Sequence, residues 1–168
     1  MHILFIGYGK TSRRVAKQLF EQGHQISTIS QSPKTDSFAT HLIQDVHQLD
    51  LTAVPPIDWV YVLLSPKQST VEGYQQTYLD SVQPIVAALK QHPVKRIMVV
   101  SSTRGYGQDS GEIVDDETKI HPNDAQGKIL QQMEQAYFTA YPEQSTIIRP
   151  SGIYGTSVAR LQKMAASM

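Results

Sequence analysis

Residues 7–12 read Gly-Tyr-Gly-Lys-Thr-Ser, and this stretch joins an apolar run to a helical pattern. The run before it, His2–Ile6, is rich in apolar and β-branched side chains, which is typical of a buried parallel strand. After it, residues 15–20 carry apolar side chains at helical spacing, and Gly23 is placed to end the helix. The order strand, glycine turn, helix is therefore predicted at the start of the chain.

The rest of the chain alternates between strand and helix patterns. Further strands are predicted at Gln25–Ser30, at 42–43 before Asp45, and at 59–64, 96–101 and 145–149. Helices are predicted over 74–89, which Pro84 should kink or divide, over 129–140 with Asn123 as N-cap, and weakly over 158–164. This alternation predicts one α/β domain over residues 1–168, a Rossmann-type doubly wound parallel sheet in a three-layer α/β/α arrangement. A flavodoxin-like domain has a similar element order, and the glycine turn distinguishes the two.

Composition disfavours several classes of function. Lys plus Arg and Asp plus Glu number 15 each, so the chain lacks the net positive charge expected of a protein that binds nucleic acid or an anionic membrane. It has no cysteine, which excludes disulfides and thiolate sites, and its six histidines have no metal-ligand spacing. The acidic stretch 109–117 is interpreted as a solvated loop rather than a metal site. Neither a signal peptide nor a membrane span is recognised, so a cytoplasmic location is expected.

The glycine turn has the form G-x-G-x-x-S at a strand-to-helix junction, where the dinucleotide-binding fingerprint requires it. Gly7 permits the tight turn, and Gly9 lets the backbone approach a pyrophosphate. The N–H groups at the start of the next helix add a positive dipole end. Ser12 replaces the third glycine and adds a small side chain, so we expect looser helix-to-strand packing there. A turn that needs glycines only for its own backbone is the alternative to a pyrophosphate site.

The end of the second strand bears on the choice of cofactor. Domains that bind NAD usually carry an acid about 20 residues beyond the glycines, at the ribose 2′-hydroxyl. Ser30, Gln31 and Ser32 occupy that place here, so a 2′-phosphate would not be repelled. The hydroxyls and cations that could bind it are Ser30, Ser32, Lys34, Lys10 and Arg13. NADP(H) is therefore predicted in preference to NAD(H).

These features resemble the short-chain dehydrogenase/reductase superfamily, in its extended or atypical branch often labelled NAD-dependent epimerase/dehydratase. The resemblance spans nearly all of the chain. It depends on the glycine turn and on residues 62–66 (VLLSP), 101–107 (SSTRGYG), 111–112 with 116–117, and 149–155 (RPSGIYG). The turn, the second strand and the resemblance together give the predicted cofactor-binding residues: Gly7, Tyr8, Gly9, Lys10, Thr11, Ser12, Ser30, Gln31, Ser32, Lys34, Asp45, Val46, Leu64, Ser65, Pro66, Ser101 and Pro150.

The resemblance also implies a catalytic arrangement, and the chain departs from it. The family's serine-rich segment supplies a hydroxyl that hydrogen-bonds the substrate oxygen, and its match here is Ser102. The family's base is a Tyr followed four residues later by a Lys. Counting back from Glu134, which resembles the acid usually found after that motif, places the Tyr position at Gln126 and the Lys position at Leu130. Gln does not ionise and Leu supplies no charge, so the usual proton relay is missing.

Other tyrosines do not restore the motif. Lys128 and Tyr137 do not stand in a Tyr-x-x-x-Lys relation. Tyr106 and Tyr154 lie in segments that resemble the family's, and each is either a substitute base or an aromatic side chain packed beside the pocket.

Three functions stay open. The first is an NADP(H)-linked oxidoreductase, epimerase or dehydratase that acts on a sugar nucleotide or a similar carbonyl or alcohol, with Ser102 polarising the substrate. The second is a non-catalytic NADP(H)-binding sensor that resembles NmrA-like proteins, and the third is a cofactor-binding fragment that is inert alone. The family's C-terminal substrate domain is expected to be mostly absent, because the chain stops soon after residues 152–155. The helices 74–89 and 129–140 resemble those of the family's dimer interface, so a homodimer is a further expectation.

Overall fold

The computed structural model describes residues 1–108 and 110–153. Six parallel strands form one sheet in the order β3-β2-β1-β4-β5-β6. The strands are β1 (His2–Ile6), β2 (Gln25–Ser30), β3 (Thr40–Ile43), β4 (Trp59–Val62), β5 (Arg96–Val100) and β6 (Ser145–Ile148). The α-helices are α1 (Lys10–Glu21), α2 (Val71–Tyr74), α3 (Val82–Leu89) and α4 (Ala125–Ala140), and a π-helix, Gln75–Leu79, lies between α2 and α3. The predicted Rossmann-type sheet is confirmed.

The central strand β1 divides the core into two layers. Ile3 and Phe5 pack with Ala16 of α1 on one face of the sheet, whereas Leu4 and Ile6 belong to the cluster on the other face. Successive side chains of a strand point to opposite faces, so a strand covered on both sides reads as a continuous apolar run. The second cluster holds the buried faces of α3 and α4. The apolar residues of these helices thus cover the sheet, and the homodimer stays a prediction.

Helix α1 ends as predicted at Gly23. This glycine has a φ of 86°, its N–H donates to the Phe20 carbonyl at 2.8 Å, and the His24 N–H donates to the Leu19 carbonyl at 3.1 Å. A left-handed residue that closes a helix in this way favours glycine.

The helix predicted over 74–89 is divided, but not at Pro84. The break is the π-helix Gln75–Leu79, and Pro84 lies in the first turn of α3, where its missing N–H costs no helical bond. The residues before α4 also differ from the prediction, because its N-cap is Asp124, which accepts from the Gly127 N–H at 2.7 Å. Asn123 instead donates to the Gly107 carbonyl at 3.2 Å. The helix predicted over 158–164 lies outside the described residues.

A buried ion pair fastens the end of β6 to α4. Arg149 Nη2 lies 2.7 Å from Glu134 Oε2, and Arg149 Nε donates to the same carboxylate at 3.1 Å. The Glu134 side chain is 3% exposed and that of Arg149 is 20% exposed. Hydrogen bonding to Glu134 raises the pKa of Arg149. The carboxylate is shielded from water, and Arg149 is the cation that balances its charge.

We expect Arg149→Met to lower the free energy of unfolding by about 3 kcal/mol or more, since it leaves a buried carboxylate without its cation. Lys95→Met is the matched control, because it removes a 2.6 Å pair with Asp58 in which the lysine is 66% exposed. That change should cost less than about 1 kcal/mol. Chemical denaturation measures both, and equal losses would contradict the assignment.

Candidate functional site

A cleft of about 1260 Å³ opens along the carboxyl edge of the sheet. Residues that follow β1 and β4 both line it, which places it where the strand order changes direction and where ligands of doubly wound sheets bind. Its volume exceeds the roughly 300–1,000 Å³ of pockets for drug-sized ligands, so it suits a longer molecule. The predicted site residues that line it are Gly7, Tyr8, Gly9, Lys10, Thr11, Ser30, Gln31, Asp45, Val46, Leu64, Ser65, Ser101, Ser102 and Pro150.

Gly7 makes the turn from β1 into α1 in a left-handed conformation, with a φ of 89°. Its N–H donates to the Ile29 carbonyl at 3.0 Å, which ties the turn to β2. A Cβ at this position would lie against the Leu63 carbonyl, just beyond β4. Glycine is therefore required both by conformation and by space.

The N-terminus of α1 faces the cleft. Gly9 is its N-cap, and no side chain among the described residues caps this end. The Arg13 N–H donates to the Gly9 carbonyl at 3.0 Å, so the N–H groups before it lie in the unpaired first turn. A Cβ on Gly9 would meet no described atom within 4 Å, so the backbone here borders open space. This end of the helix can hold an anion by its N–H groups and its dipole.

Ser12 lies behind the turn rather than in the lining of the cleft. It is completely buried, and its hydroxyl donates to the Gly7 carbonyl at 2.8 Å. The serine ties the helix to the turn, so the prediction of looser packing at this position is wrong.

The loop after β2 is folded onto itself. Ser30 and Gln31 line the cleft, whereas Ser32 and Lys34 lie outside its lining. The Ser30 hydroxyl donates to the Ser32 carbonyl at 2.8 Å, and Lys34 Nζ donates to the Ser32 hydroxyl at 2.9 Å. Three of the groups predicted for a 2′-phosphate, Ser30, Ser32 and Lys34, are thus engaged within the loop.

Arg13, another predicted phosphate ligand, is paired with Asp36. Its Nε and Nη2 lie 2.7 Å and 2.6 Å from Asp36 Oδ1, and the Tyr8 hydroxyl donates to Oδ2 at 3.2 Å. Hydrogen bonding from Arg13 holds the pKa of Asp36 below its usual range. Burial, with Asp36 beside it, raises the pKa of Tyr8 to about 12. Arg13 therefore braces the loop after β2.

Asp45 and Val46 line the cleft beside the loop after β2, at a short 3-10 turn, Val46–Gln48. Gln31 Nε2 donates to Asp45 Oδ2 at 3.4 Å. Asp45 caps this turn by accepting from the His47 N–H at 3.0 Å. The His47 ring links this turn to the π-helix. Its Nδ1 lies 2.9 Å from Asp45 Oδ1, and its Nε2 lies 2.8 Å from the Gln76 carbonyl. Both ring nitrogens face acceptors, which favours the doubly protonated imidazole, and Asp45 and then Gln76 raise the pKa of His47.

Ser101 and Ser102 form the far end of the cleft, after β5. Ser101 is buried, and within the part of the chain that the structure describes its hydroxyl has no hydrogen-bond partner. Ser102 Oγ accepts from the Arg104 N–H at 3.3 Å, so its own hydrogen can be directed at a ligand. Pro150 faces the same region, whereas Pro66 lies outside the lining.

The positions matched to the family's Tyr and Lys carry no proton relay. Gln126 lies in the first turn of α4, where its amide nitrogen donates to the Ser69 carbonyl at 3.5 Å. Leu130 is buried in the core beneath the sheet and does not line the cleft.

Two of the tyrosines considered from the sequence, Tyr106 and Tyr137, are engaged or buried. The Tyr106 hydroxyl donates to the Asp115 carbonyl at 3.2 Å and accepts from Arg149 Nη1 at 3.3 Å. Tyr137 is completely buried, and burial strongly raises its pKa. Tyr154 lies outside the described residues.

Several residues of the cleft were not predicted from the sequence: His47, Lys67, Tyr74, Gln76 and Tyr78. Two of them adjoin predicted positions, since His47 follows Val46 and Lys67 follows Pro66. The others lie on α2 and the π-helix, which the sequence indicated only as a helix that covers the sheet.

Two further features bear on function. Over residues 1–108 and 110–153, no group of three or more histidines and acids could hold a metal ion. The same residues include no helix with the length and apolar character needed to cross a membrane.

A family model described as NAD(P)H-binding matches residues 7–161. None of the curated proteins matches the chain. Among solved structures, a Methylobacillus flagellatus protein assigned as an NAD-dependent epimerase/dehydratase is 28% identical, with a TM-score of 0.78 over 98% of this chain and 59% of that one.

Two nucleotide-sugar epimerases share the fold at lower identity. UDP-glucuronic acid 4-epimerase from Bacillus cereus, in complex with NAD, is 19% identical, with a TM-score of 0.76 over 92% of this chain and 58% of that one. A UDP-galactose 4-epimerase is 16% identical, with a TM-score of 0.75 over 99% of this chain and 63% of that one. The chain thus spans less than two thirds of the length of each structure.

We expect His47→Gln to destabilise the protein more at about pH 5.5 than at about pH 8.5. The pKa of His47 is higher in the folded protein than in the unfolded chain, so its protonation stabilises the fold at low pH, and this stabilisation is lost as the pH rises through the folded-state pKa. Thermal unfolding of the native protein and the variant at both pH values measures the difference. His121→Gln, at an exposed ring outside the cleft, controls for the loss of one imidazole. A larger difference at the higher pH would contradict the hydrogen bonding described for His47.

Proposed function

The chain belongs to the family of NAD(P)H-binding domains, and from this premise we propose that its cleft holds NADP(H) for an oxidoreductase, epimerase or dehydratase. Its substrate would be a sugar nucleotide or a similar carbonyl or alcohol. The observation that carries the proposal is that one cleft joins the N-terminus of α1 to the hydroxyl of Ser102. An anion site and a substrate-polarising group at opposite ends suit a dinucleotide whose reactive ring lies far from its phosphates.

The residues present fit such a cofactor. Open space above Gly9 leaves room for a pyrophosphate at the unpaired N–H groups of α1. Asp45 and Val46 would border the adenosine half. The unpartnered hydroxyl of Ser101 lies at the other end, where a carboxamide could accept its hydrogen bond. When bound, the nicotinamide supplies or accepts a hydride, and the protein supplies orientation and electrostatics.

Ser102 would act on the substrate. Its oxygen already accepts from the Arg104 N–H, so its hydrogen is available to a carbonyl or hydroxyl oxygen of the substrate. A donor aimed at an oxygen that gains negative charge lowers the barrier of the reaction.

The preference for NADP(H) is supported by the charges near the end of β2. The nearest acid in the loop, Asp36, is 8% exposed and held by Arg13, so it does not present a free charge to a 2′-phosphate. Lys10 and Lys67 both line the cleft. Asp45 also lines the cleft, 3.4 Å from the Gln31 amide, but its carboxylate is hydrogen-bonded to the His47 ring. The support for NADP(H) is therefore that both acids near the end of β2 are already paired, whereas Ser30 carries no charge.

Calorimetric titration tests this preference. We expect NADPH to bind at least about tenfold more tightly than NADH, a difference of about 1.4 kcal/mol. Ser30→Asp adds a carboxylate at the end of β2 and should reverse the order. Tighter binding of NADH by the native protein would overturn the preference.

Gly9→Ala tests the position of the pyrophosphate. The added methyl group meets no described atom within 4 Å, so the melting temperature should stay unchanged. It would occupy the space of the phosphates, and we expect NADPH to bind at least about tenfold more weakly. Gly105→Ala is a matched control outside the cleft, because its Cβ would make only an ordinary contact of 3.7 Å with Ile120. Unchanged binding by Gly9→Ala would argue against a pyrophosphate there.

A second function, cofactor binding without catalysis, is favoured by the side chains of Gln126 and Leu130. The protein mixed with NADPH and a panel of nucleotide sugars and simple carbonyls separates the two. Turnover that Ser102→Ala abolishes supports the enzyme, whereas tight NADPH binding without turnover supports the sensor.

A further inference from the structure

Three elements meet at the corner of the cleft beside Ser102: the 3-10 turn Thr103–Gly105, α2 and the first turn of α4. Arg104 joins them. Its Nε donates to Asp124 Oδ2 at 2.8 Å, and its guanidinium carbon lies 5.7 Å from the ring centre of Tyr74. Its backbone N–H is the donor to Ser102. Arg104 thus connects the ring of Tyr74 to Ser102, the predicted substrate-binding residue.

The first turn of α4 is held against this corner. Asp124 caps the helix through the Gly127 N–H at 2.7 Å while it accepts from Arg104. A Cβ on Gly127 would lie 2.9 Å from the Arg104 carbonyl and 2.7 Å from Pro122 Cβ, so only glycine permits this approach. Gln126, which takes the place of the family's tyrosine, therefore lies at the same corner, with its amide on Ser69 at the start of α2.

Tyr74 lies one helical turn beyond the start of α2 and lines the cleft. It is partly buried, and its ring also contacts Tyr78, at 5.1 Å between ring centres. Tyr74 therefore brings a tyrosine side chain from α2 into the lining of the cleft, which no residue of α4 reaches among the described residues.

Of the tyrosines that the structure describes, only Tyr8, Tyr74 and Tyr78 line the cleft. Burial raises the pKa of Tyr78 to about 12, and burial with Asp36 does the same for Tyr8. Both phenols resist giving up a proton near neutral pH. Tyr8 also lies at the glycine turn, away from Ser102.

Arg104 supplies a lasting positive charge. Partial burial lowers its pKa, but the hydrogen bond to Asp124 and the neighbouring Tyr74 outweigh that effect and raise it. A guanidinium is protonated at every pH at which proteins are folded, so the face of the Tyr74 ring meets a fixed positive charge.

We propose that Tyr74 is the proton-transfer residue of this cleft and that Arg104 is its positioning residue and fixed cation. The pair replaces the dyad that Gln126 and Leu130 do not provide, and the inference rests on the proposed enzymatic function. In the reducing direction, the Tyr74 O–H bond breaks and its proton forms an O–H bond on the substrate carbonyl oxygen. The carbonyl carbon gains the hydride that a bound NADPH supplies, and water returns a proton to the phenolate.

Chemical labelling of the protein without cofactor tests the Tyr74–Arg104 pair independently of turnover. An aryl sulfonyl fluoride reacts with tyrosine oxygens beside cations, and mass spectrometry locates the adduct. We expect Tyr74 to be labelled faster than Tyr78 and Tyr141, and Arg104→Gln to slow its labelling several-fold. Labelling of Tyr74 at the rate of the other two, or unchanged labelling in Arg104→Gln, would overturn the proposal.

Turnover provides the second test. With any substrate that the native protein converts, Tyr74→Phe should lower kcat about 100-fold or more, the usual worth of a positioned acid or base, with little change in KM. NADPH binding measured by calorimetry should be unchanged. Tyr141→Phe removes one hydroxyl from a partly buried tyrosine after the end of α4, and should leave kcat unaltered.

The two proposals fail in different ways. Absence of turnover by the native protein, with NADPH bound, would overturn the enzymatic function and the role of Tyr74 with it. Turnover that survives in Tyr74→Phe would overturn the role of Tyr74 alone, and leave the enzymatic function standing.

Discussion

The structure depends on the left-handed backbone of Gly7, which contacts β2 on one side and the residue after β4 on the other. Its N–H bonds to β2 through Ile29, and its α-carbon lies so close to the Leu63 carbonyl that no side chain fits. The turn therefore holds the carboxyl ends of β1, β2 and β4 together while it directs α1 away from the sheet. Because α1 leaves from this point, its unpaired N–H groups face the cleft rather than the solvent side of the domain. A loose turn would lose both the anion site and the junction of the three strands.

The Ser102 end of the cleft depends on a second set of contacts, on the other side of the switch point. The buried Arg149–Glu134 pair joins the end of β6 to α4, and Arg104 joins the start of α4 to the turn after Ser102. The Arg149–Glu134 pair is specific, since a misplaced guanidinium would leave the desolvated Glu134 carboxylate unpaired. The Arg104–Asp124 pair is partly exposed, and it adds direction through its hydrogen bond. Together they fix the position of α4 relative to β6 and to the turn after Ser102.

Most of the fold follows from local patterns. The apolar run of β1, the glycine turn and the closing Gly23 are all readable because each depends on neighbouring residues. The π-helix follows no such local pattern, and its Gln76 carbonyl accepts from His47, 29 residues away. The N-cap of α4 is a local bond from the Gly127 N–H to Asp124, so the prediction of Asn123 misplaces the cap by one residue. Arg13, which its position favours as a phosphate ligand, pairs instead with a distant residue, Asp36, 23 residues away. Sequence spacing predicts which groups approach the cleft, and only tertiary contacts decide which of them are already engaged.

The missing Tyr-x-x-x-Lys motif concerns only α4, because other elements also contribute side chains to the cleft. Proton transfer needs a hydroxyl within reach of the substrate oxygen and a positive charge near that hydroxyl, and neither requirement specifies the element that carries them. Here α2 brings Tyr74 to the cleft, and the turn after Ser102 brings Arg104 to Tyr74. Gly127 lets α4 approach this turn closely, which fixes Arg104 between Asp124 and Tyr74. Gln126 and Leu130 then have structural roles, a hydrogen bond to Ser69 and a place in the core. The candidate groups for proton transfer are those that line the cleft.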